Sequence, residues 1–494
     1  MADHGAPTPA SFQTYAAHIV GYDQQLETPY GRPRLLYADW TASGRLYAPI
    51  ERQLTETIGP WLGNTHSEAS ATGQAMTRAY HRAHAILKAH VGASEEDLIL
   101  TVGSGMTGAV NKLQRLLGLK APEGLRRYIH VAPEERPVVF VTHMEHHSNH
   151  TSWYETLADV EVIEPDATGL VSVASLEALL DKYRERPVKI GSFTACSNVT
   201  GAMTPYHQLA AAMHRAGGVA FVDFAASAPY VAIDMHPADP LQRLDAVLFS
   251  PHKFLGGPGS AGVLVFHRSL YQNTVPDESG GGTVAWTNPW GGYAFLPDIE
   301  AREDAGTPGF LQAIRAAMAV KLKDQMGVAA MQAREHQLTE PMLAGLARIP
   351  GLHLLAPGIR QRLPIFSFYL EGLHYNLVVR LLSDRFGIQA RGGCSCAGTY
   401  GHYLLHVDPE RSHRITAGID HGDLSEKPGW VRISLHPTTT DAELATCLEA
   451  IAAIAQHGPA WAADYRYDPH ANEYQHVSGY FGPDVAAWFD PAAW

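Results

Sequence analysis

The chain has 494 residues and a formal net charge of −13, with 46% hydrophobic and 18% charged residues. A surface this acidic is unsuited to nucleic acid, and no apolar run is long enough to span a bilayer. The start, "MADHGAPTPASF", lacks the basic and apolar regions of a signal peptide, and four cysteines are too few for a disulfide scaffold. We therefore expect a protein of the reducing cytoplasm, without nucleic-acid or membrane partners.

The central part of the chain alternates apolar, β-rich runs with amphipathic stretches such as "SVASLEALLDKY" and "MTPYHQLAAAMHRAG". Nearly continuous apolar strands separated by helices indicate a mostly parallel sheet that is buried on both faces. Ligands of such sheets bind beyond the carboxyl ends of the strands, so the residues that follow the strands are candidates for chemistry. The candidate strands are 137–143, 188–195, 218–224, 245–250 and 262–267.

After the sheet, the pattern predicts one long helix from about 310 to 335, then a smaller α/β unit with strands near "LPIFSFYL" and "WVRISLH". The aromatic and proline-rich end of the chain is interpreted as a tail docked on the body. The predicted organisation has four parts: an N-terminal segment that packs on the small domain (1–34), a large domain (35–310), a small C-terminal domain (311–457) and the tail (458–494).

Two charged residues follow apolar strands and could serve one cofactor. In "FSPHKFLGGPGSAGVLVF", Lys253 is either an exposed turn residue or a lysine that forms a Schiff base with a carbonyl cofactor. In "FVDFAASAP", Asp223 is either a cap or surface acid, or a buried carboxylate paired with a protonated ring nitrogen.

Three further loops follow other strands. In "TVGSGMTGAVNKL", the backbone N–H groups of 103–107 and the Thr107 hydroxyl suit a phosphate. His146 of "THMEHHSNHTSWYE" could stack on a flat heterocycle or shuttle a proton, and Asn198 of "ACSNVTG" could bind a ring hydroxyl. Each residue alone is commonly structural, but five such features after different strands indicate a site.

Over roughly residues 35 to 455 the chain resembles the fold-type I pyridoxal-phosphate enzymes of the class V aminotransferase superfamily, most closely the Suf-type cysteine desulfurases and selenocysteine lyases. The most specific match is "EHHSNHTSW"; "SNVTG", "VDFAASAP", "SPHKFLGGPG", "EDAGTPG", "RGGCSCAG" and "WVRISL" follow in the family's order. The resemblance implies an α/β fold, with a large domain built on a mostly parallel seven-stranded sheet and a smaller C-terminal α/β domain.

The resemblance assigns four residues to the ring of pyridoxal 5′-phosphate. Lys253 would bind the cofactor covalently and Asp223 would pair with the ring nitrogen. His146 would stack on the ring, and Asn198 would lie near its 3-hydroxyl and the substrate.

The resemblance also implies a homodimer, because Thr307 of "AGTPG" would reach the cofactor phosphate of the other subunit. The remaining residues expected around the phosphate are Met106, Thr107, Ser250 and His252.

For the amino-acid substrate, the resemblance assigns the carboxylate to Arg432 of "WVRIS", with Arg391 close by. Cys396 lies at the position of the family's nucleophilic cysteine, and Arg391 could favour its thiolate. Cys394 is either a small loop residue or a second thiol that takes a persulfide onward.

The predicted activity is the removal of sulfur from L-cysteine, or a related sulfur amino acid, to give alanine and a persulfide on Cys396, with a possible sulfur-acceptor protein. Lys253 would move the Cα proton and His146 would protonate the departing species. The alternative is a carbon–sulfur β-lyase, which needs Lys253 but not Cys396, or another class V enzyme such as an aminotransferase or epimerase.

The chain departs from the family's pattern in two places. Ala226 stands where the family usually has a glutamine that binds the cofactor, and the segment between Cys396 and Arg432 is longer than usual. That segment, 399–429, is expected to form a polar lid. We predict no metal site, because Cys394 and Cys396 lack a second ligand pair, although two of the segment's histidines could share a helix face: His402 and His406.

Overall fold

The computed structural model describes residues 9–65, 68–103, 105–479 and 481–493. Ser104 of the predicted phosphate loop and residues 1–8 of the predicted N-terminal segment lie outside these ranges. The described chain forms two compact units. The first contains Thr41–Ala333 and Gly358–Leu363, and the second contains Pro9–Trp40, Arg334–Pro357 and the chain from Pro364 onward.

A seven-stranded sheet organises the first unit, and only Gly262–His267 runs against the other strands. The predicted, mostly parallel seven-stranded sheet is therefore confirmed. The strand order is Asp97–Val102, Gly262–His267, Ala246–Phe249, Val219–Asp223, Lys189–Thr194, Val138–Thr142, Asp159–Ile163.

Helices of the first unit bury apolar faces, as their sequence periodicity requires. The helix Gly105–Leu116, for example, buries Met106, Ala109 and Leu113 with the apolar side chains of the sheet.

A short hairpin pairs Val284–Thr287 with Tyr293–Phe295. The α-helices are Ala48–Arg52, Ala71–His90, Gly105–Leu116, Glu123–Arg126, His147–Tyr154, Val173–Lys182, Tyr206–Arg215, Ile299–Glu303 and Phe310–Met326.

The prediction of one long helix from 310 to 335 is wrong. The structure has two helices, Phe310–Met326 and Val328–Leu346, separated at Gly327. Gly327 has a φ of 80°, and its N–H group donates to the carbonyl oxygen of Lys323. A right-handed helix cannot continue through a positive φ, and glycine adopts that conformation at low cost.

The second unit is built on a four-stranded antiparallel sheet in the order Leu352–Leu354, Ile365–Leu370, Trp430–Ser434, Arg391–Gly393. The two strands predicted in this part of the chain are therefore confirmed. A parallel pair joins Leu36–Tyr37 to Ile388–Gln389, and a C-terminal hairpin joins Tyr465–Asp468 to Glu473–His476. The helices are Pro9–Ala16, most of Val328–Leu346, Tyr375–Phe386, Gly398–Leu404, Pro409–Asp420 and Asp441–Trp461.

The core of the second unit fixes the strand that carries Arg432. Val431 and Ile433 are fully buried and pack with Phe366 and Phe368 of the neighbouring strand. Since side chains alternate along a strand, Arg432 lies on the opposite face of the sheet from these residues. Arg391 lies directly across from Arg432 in the register.

No helix in the described ranges combines the length and the apolar character that a membrane crossing requires.

Candidate active site

The predicted ring-binding residues of the first unit meet at one edge of its sheet. Asp223 ends its strand and lies beside Thr194, the last residue of the neighbouring strand. His146 and Asn198 each follow the end of a strand by four residues, and the Lys253 turn follows Ala246–Phe249. These strands run in the same direction, so the loops that follow them lie at the same edge.

Asp223 is a buried carboxylate, with 4% of its surface exposed. Its Oδ1 accepts a hydrogen bond of 2.7 Å from the N–H group of Ala225. Burial raises the pKa of Asp223 to about 6, against the Ala225 hydrogen bond and the positive charge of Lys253, which lower it. The environment would therefore stabilise a further cation close to this carboxylate.

Close backbone contacts hold the turn that carries Lys253. The N–H group of Gly44 donates to the carbonyl oxygen of His252 at 2.9 Å, and a Cβ on Gly44 would lie 1.9 Å from the Phe254 oxygen. A Cβ on Gly257 would meet the backbone of the same turn at 1.8 Å. Both positions therefore require glycine. Burial lowers the pKa of His252 to about 4, and the charge of Lys253 adds to this effect.

The start of the helix Gly105–Leu116 forms a polar cradle with the Lys253 turn. The N–H group of Met106 donates to the Ser250 hydroxyl at 2.8 Å. Gly105 has a φ of 62°, and a Cβ there would lie 2.8 Å from the His252 ring and 2.9 Å from the Ser250 hydroxyl. Thr107 is exposed beside them. The structure thus brings together four of the residues predicted around a phosphate: Met106, Thr107, Ser250 and His252.

Ser148, which the sequence analysis did not select, links His146 to this cradle. Its hydroxyl lies 3.1 Å from Nδ1 of His146 and 2.6 Å from the Thr107 hydroxyl. The N–H group of Ser148 also donates to Nδ1 of His146 at 3.1 Å, so His146 caps the helix His147–Tyr154. These contacts fix the orientation of the His146 ring.

Glu145 is a second buried carboxyl group that the sequence analysis did not select. Its Oε1 accepts hydrogen bonds from the Thr142 N–H and hydroxyl groups and from the Thr194 N–H group. Its Oε2 accepts one from Asn149. Burial raises the pKa of Glu145 to about 8, because it outweighs these hydrogen bonds, and the charge of Asp223 adds to the increase. The only signal in the sequence was its place in "EHHSN".

Three other selected residues of the first unit lie in different surroundings. Asn198 is buried in the loop after Lys189–Thr194, and Ala226 is buried in the turn after Asp223. Thr307 is exposed and accepts a hydrogen bond of 3.3 Å from Asn64. It lines a cleft of about 370 Å³ that also includes Gly103.

In the second unit, Arg432 and Arg391 share one carboxylate. Nη2 of the buried Arg432 donates to Oδ1 of Asp39 at 2.7 Å, and Nε of Arg391 donates to Oδ2 of Asp39 at 3.1 Å. Burial lowers the pKa of Arg432, against the attraction of Asp39. Asp39 is not among the residues predicted from the sequence, where its only local signal is its position just after the strand Leu36–Tyr37.

The two cysteines of "RGGCSCAG" lie between the strand Arg391–Gly393 and the helix Gly398–Leu404. Cys394 is half-buried and Cys396 is exposed, and both are free thiols. Ser395 and Cys396 have φ values of 52° and 55°. Two consecutive left-handed residues that are not glycine store backbone strain, which is common where a side chain is held for function.

The histidines of segment 399–429 are not arranged as a pair on one helix face. His402 lies on the helix Gly398–Leu404 and contacts the Ser412 hydroxyl at 2.9 Å. His406 lies beyond the end of this helix, with a φ of 49°, so the two histidines do not share a helix face. Within the described ranges, no three His, Cys, Asp or Glu side chains form a group that could hold a metal ion.

Comparison with known proteins identifies the family. The model of the class V aminotransferase family matches residues 36–446. A probable cysteine desulfurase of Mycobacterium leprae is 28% identical over 80% of this chain and 90% of its own length. A cysteine desulfurase of Synechococcus elongatus is 30% identical over 74% of this chain and 55% of its own length.

Solved structures show the same fold. The apo structure of a cysteine desulfurase from Thermococcus onnurineus has a TM-score of 0.72 and 21% identity, covering 92% of this chain and all of that chain. A cysteine desulfurase from Escherichia coli has a TM-score of 0.68 and 22% identity, covering 90% and 98%. The chain belongs to the class V aminotransferase family and is an enzyme of that family, which confirms the resemblance found in the sequence.

Proposed function

We propose that the protein is a pyridoxal-phosphate-dependent cysteine desulfurase, which converts L-cysteine, or a related sulfur amino acid, to alanine and leaves the sulfur as a persulfide on Cys396. One observation carries this proposal. Cys396 exposes its thiol in a left-handed turn directly after the strand that presents Arg391 beside the buried Arg432. The names of the relatives support the same activity.

The first unit fits pyridoxal 5′-phosphate. The raised pKa of the buried Asp223 suits a protonated ring nitrogen, which would add a second cation to the charge of Lys253 near this carboxylate. The missing Cβ of Gly105 leaves a concave helix start, where backbone N–H groups and hydroxyls suit a phosphate. Lys253 would hold the cofactor covalently, and His146 would lie on its ring. When bound, the cofactor supplies an electron sink for the negative charge that develops on the substrate Cα.

In this proposal the residues of the site bind the substrate, move protons and accept the sulfur. Lys253 takes the proton from the substrate Cα, and Asp223 keeps the ring nitrogen protonated. Arg432 binds the substrate carboxylate. The Cys396 thiolate attacks the substrate sulfur: a sulfur–sulfur bond forms, the carbon–sulfur bond breaks, and its electron pair stays with the substrate carbon. His146 donates a proton to that product, and Arg391 lies across from Arg432 at the substrate carboxylate.

The proposal also includes an assembly and a location. Thr307 is exposed on a loop, which fits a role at the cofactor phosphate of the partner subunit in a homodimer. Asn198 would lie near the 3-hydroxyl and the substrate. A cytoplasmic location suits an enzyme that depends on a reduced thiol, and a sulfur-acceptor protein would remove the persulfide sulfur.

The test is to incubate the wild-type enzyme and a Cys396→Ala variant with L-cysteine and a thiol reductant, and to quantify alanine, pyruvate and sulfide. The wild type should give alanine and sulfide in equal amounts. The variant should lose about 100-fold or more of this activity, because it has no sulfur nucleophile. A Cys447→Ala variant is the matched control, since Cys447 is a buried thiol elsewhere in the same unit.

Borohydride reduction followed by peptide mass analysis tests the cofactor separately from the activity. The peptide that contains Lys253 should carry the cofactor in both the wild type and Cys396→Ala, and no lysine should carry it in Lys253→Ala. Pyruvate formed equally by the wild type and Cys396→Ala would contradict the desulfurase proposal and indicate the carbon–sulfur β-lyase instead.

A further inference from the structure

The carboxylate of Asp39 lies between the two arginines of the second unit. Its Oδ1 is 2.7 Å from Nη2 of Arg432, and its Oδ2 is 3.1 Å from Nε of Arg391. The side chain of Arg432 is 3% exposed, that of Asp39 is 13% exposed and that of Arg391 is 47% exposed. One partly buried acid therefore connects a buried guanidinium group to a solvent-accessible one.

The two arginines could not share this place without a counter-charge. Arg391 and Arg432 are direct partners across antiparallel strands, where like charges repel. A guanidinium group as buried as Arg432 also requires a paired anion, because burial removes its hydration. Asp39 satisfies both requirements. Two cations and one anion leave the cluster with a single formal positive charge, which one substrate carboxylate would neutralise.

Backbone contacts hold Asp39 beside the strand that carries Arg432. Asp39 forms a parallel bridge with Ser434, two residues from Arg432, and the Ser434 N–H group donates to the oxygen of Ala38 at 2.7 Å. The next residue, Trp40, stacks on the ring of His436 at 4.1 Å. The segment that carries Asp39 is thus joined to the strand that carries Arg432.

We infer that Asp39 is a positioning residue for substrate recognition: it orients the Arg432 and Arg391 guanidinium groups so that they bind the carboxylate of an amino acid. This inference rests on the proposed function, in which Arg432 binds that carboxylate. Asp39 acts through the arginines and touches neither the substrate nor the cofactor. Its loss should therefore weaken substrate binding while the chemical step keeps its rate.

The experiment compares Asp39→Asn, Asp39→Ala and Asp39→Glu. Steady-state kinetics with L-cysteine give KM and kcat, and calorimetry with L-alanine gives a dissociation constant that does not depend on turnover. Asp464→Asn is the matched control: it removes another carboxylate of the same unit that accepts from an arginine, Arg385, at 3.0 Å. Circular dichroism checks that each variant folds.

We expect Asp39→Asn and Asp39→Ala to raise both KM and the alanine dissociation constant by about tenfold or more, the effect of losing one charged hydrogen bond. kcat should change by less than about threefold. Asp39→Glu should recover part of the affinity, and Asp464→Asn should behave as the wild type. If Asp39→Ala does not fold, Asp39→Asn decides the question, because it keeps the shape of the side chain.

Two results would overturn the inference. Unchanged or tighter alanine binding by Asp39→Asn would mean that Asp39 only neutralises charge. Equal losses with Asp39→Asn and Asp464→Asn would indicate a general effect on folding. If the wild-type enzyme binds alanine and makes it from cysteine, and Asp39→Asn behaves in the same way, the inference about Asp39 fails and the proposed function stands. If the wild-type enzyme neither binds alanine nor makes it, the proposed function itself is wrong.

Discussion

Glu145 and Asp223 are neighbouring buried carboxyl groups whose surroundings separate their protonation states. Burial raises the pKa of Asp223 to about 6 and that of Glu145 to about 8. At neutral pH, Asp223 is therefore mainly ionised and Glu145 mainly protonated. The nearby charge of Lys253 favours this ionisation, and the charge of Asp223 opposes that of Glu145. The pair therefore carries one negative charge, on Asp223, where the proposed function needs a carboxylate to pair with the ring nitrogen of the cofactor.

Glu145 makes folding stability depend on pH. Its pKa is about 8 in the folded protein and has an ordinary value of 4.5. Between these values the folded state holds a proton that the unfolded state has released, so stability falls as the pH rises through this window. Several buried histidines, among them His84, His90 and His436, have lowered pKa values in the folded protein, so their partly protonated unfolded forms oppose this trend near pH 7. The Glu145 contribution is therefore measured as a difference between the wild type and a Glu145 variant.

We therefore expect Glu145→Gln, which cannot titrate, to lose a pH dependence that the wild type shows. Urea unfolding at about pH 7 and pH 8 should give a wild-type free energy of unfolding whose slope against pH is more negative than that of Glu145→Gln, by up to about 1.4 kcal/mol per pH unit. Glu161→Gln is the control, because the pKa of Glu161 is lowered and its titration is complete below this range. Equal slopes for the wild type and Glu145→Gln would contradict the account.

At the scale of the elements, the helix Gly105–Leu116 begins in a conformation that suits only glycine. Gly105 has a φ of 62°, and a Cβ there would meet the His252 ring and the Ser250 hydroxyl. Gly118, just beyond the same helix, has a similar φ of 70°, but a Cβ at that position would have no neighbouring atom within 4 Å. Alanine variants at the two positions therefore distinguish the cost of backbone strain from the cost of a steric clash.

Gly105→Ala should lower the free energy of unfolding more than Gly118→Ala does. Both variants carry the strain of a left-handed alanine, about 1–2 kcal/mol, but only Gly105→Ala also displaces His252 or Ser250. Chemical unfolding of the two variants measures the difference. Equal losses in the two variants would show that the cradle tolerates a methyl group.

The strands that the sequence predicted and those it missed differ in their place in the sheet. The five predicted strands are apolar runs with a neighbour on each side. The two missed strands, Asp97–Val102 and Asp159–Ile163, form the edges of the sheet. In Asp159–Ile163, charged residues alternate with apolar ones and four of the five are only partly buried, so the strand lacks the continuous apolar run of a central parallel strand.

At the scale of the whole molecule, the sequence predicted the family and the loops that meet at the carboxyl edge of the main sheet. It could not predict the Asp39 cluster, because Asp39 is 352 residues from Arg391 and 393 residues from Arg432. A lone acid near the start of the chain gives no local sign of such partners. Glu145 was missed for a related reason, since it is buried between two strands, Val138–Thr142 and Lys189–Thr194, that meet only in the fold.

The mass of the protein after a single exposure to L-cysteine without reductant tests the proposed persulfide most directly. We expect the peptide containing Cys396 to gain the mass of one sulfur atom and one alanine to be released for each persulfide. Both signals should disappear in Cys396→Ala. Alanine or pyruvate formed with no added sulfur on Cys396 would contradict the proposed persulfide.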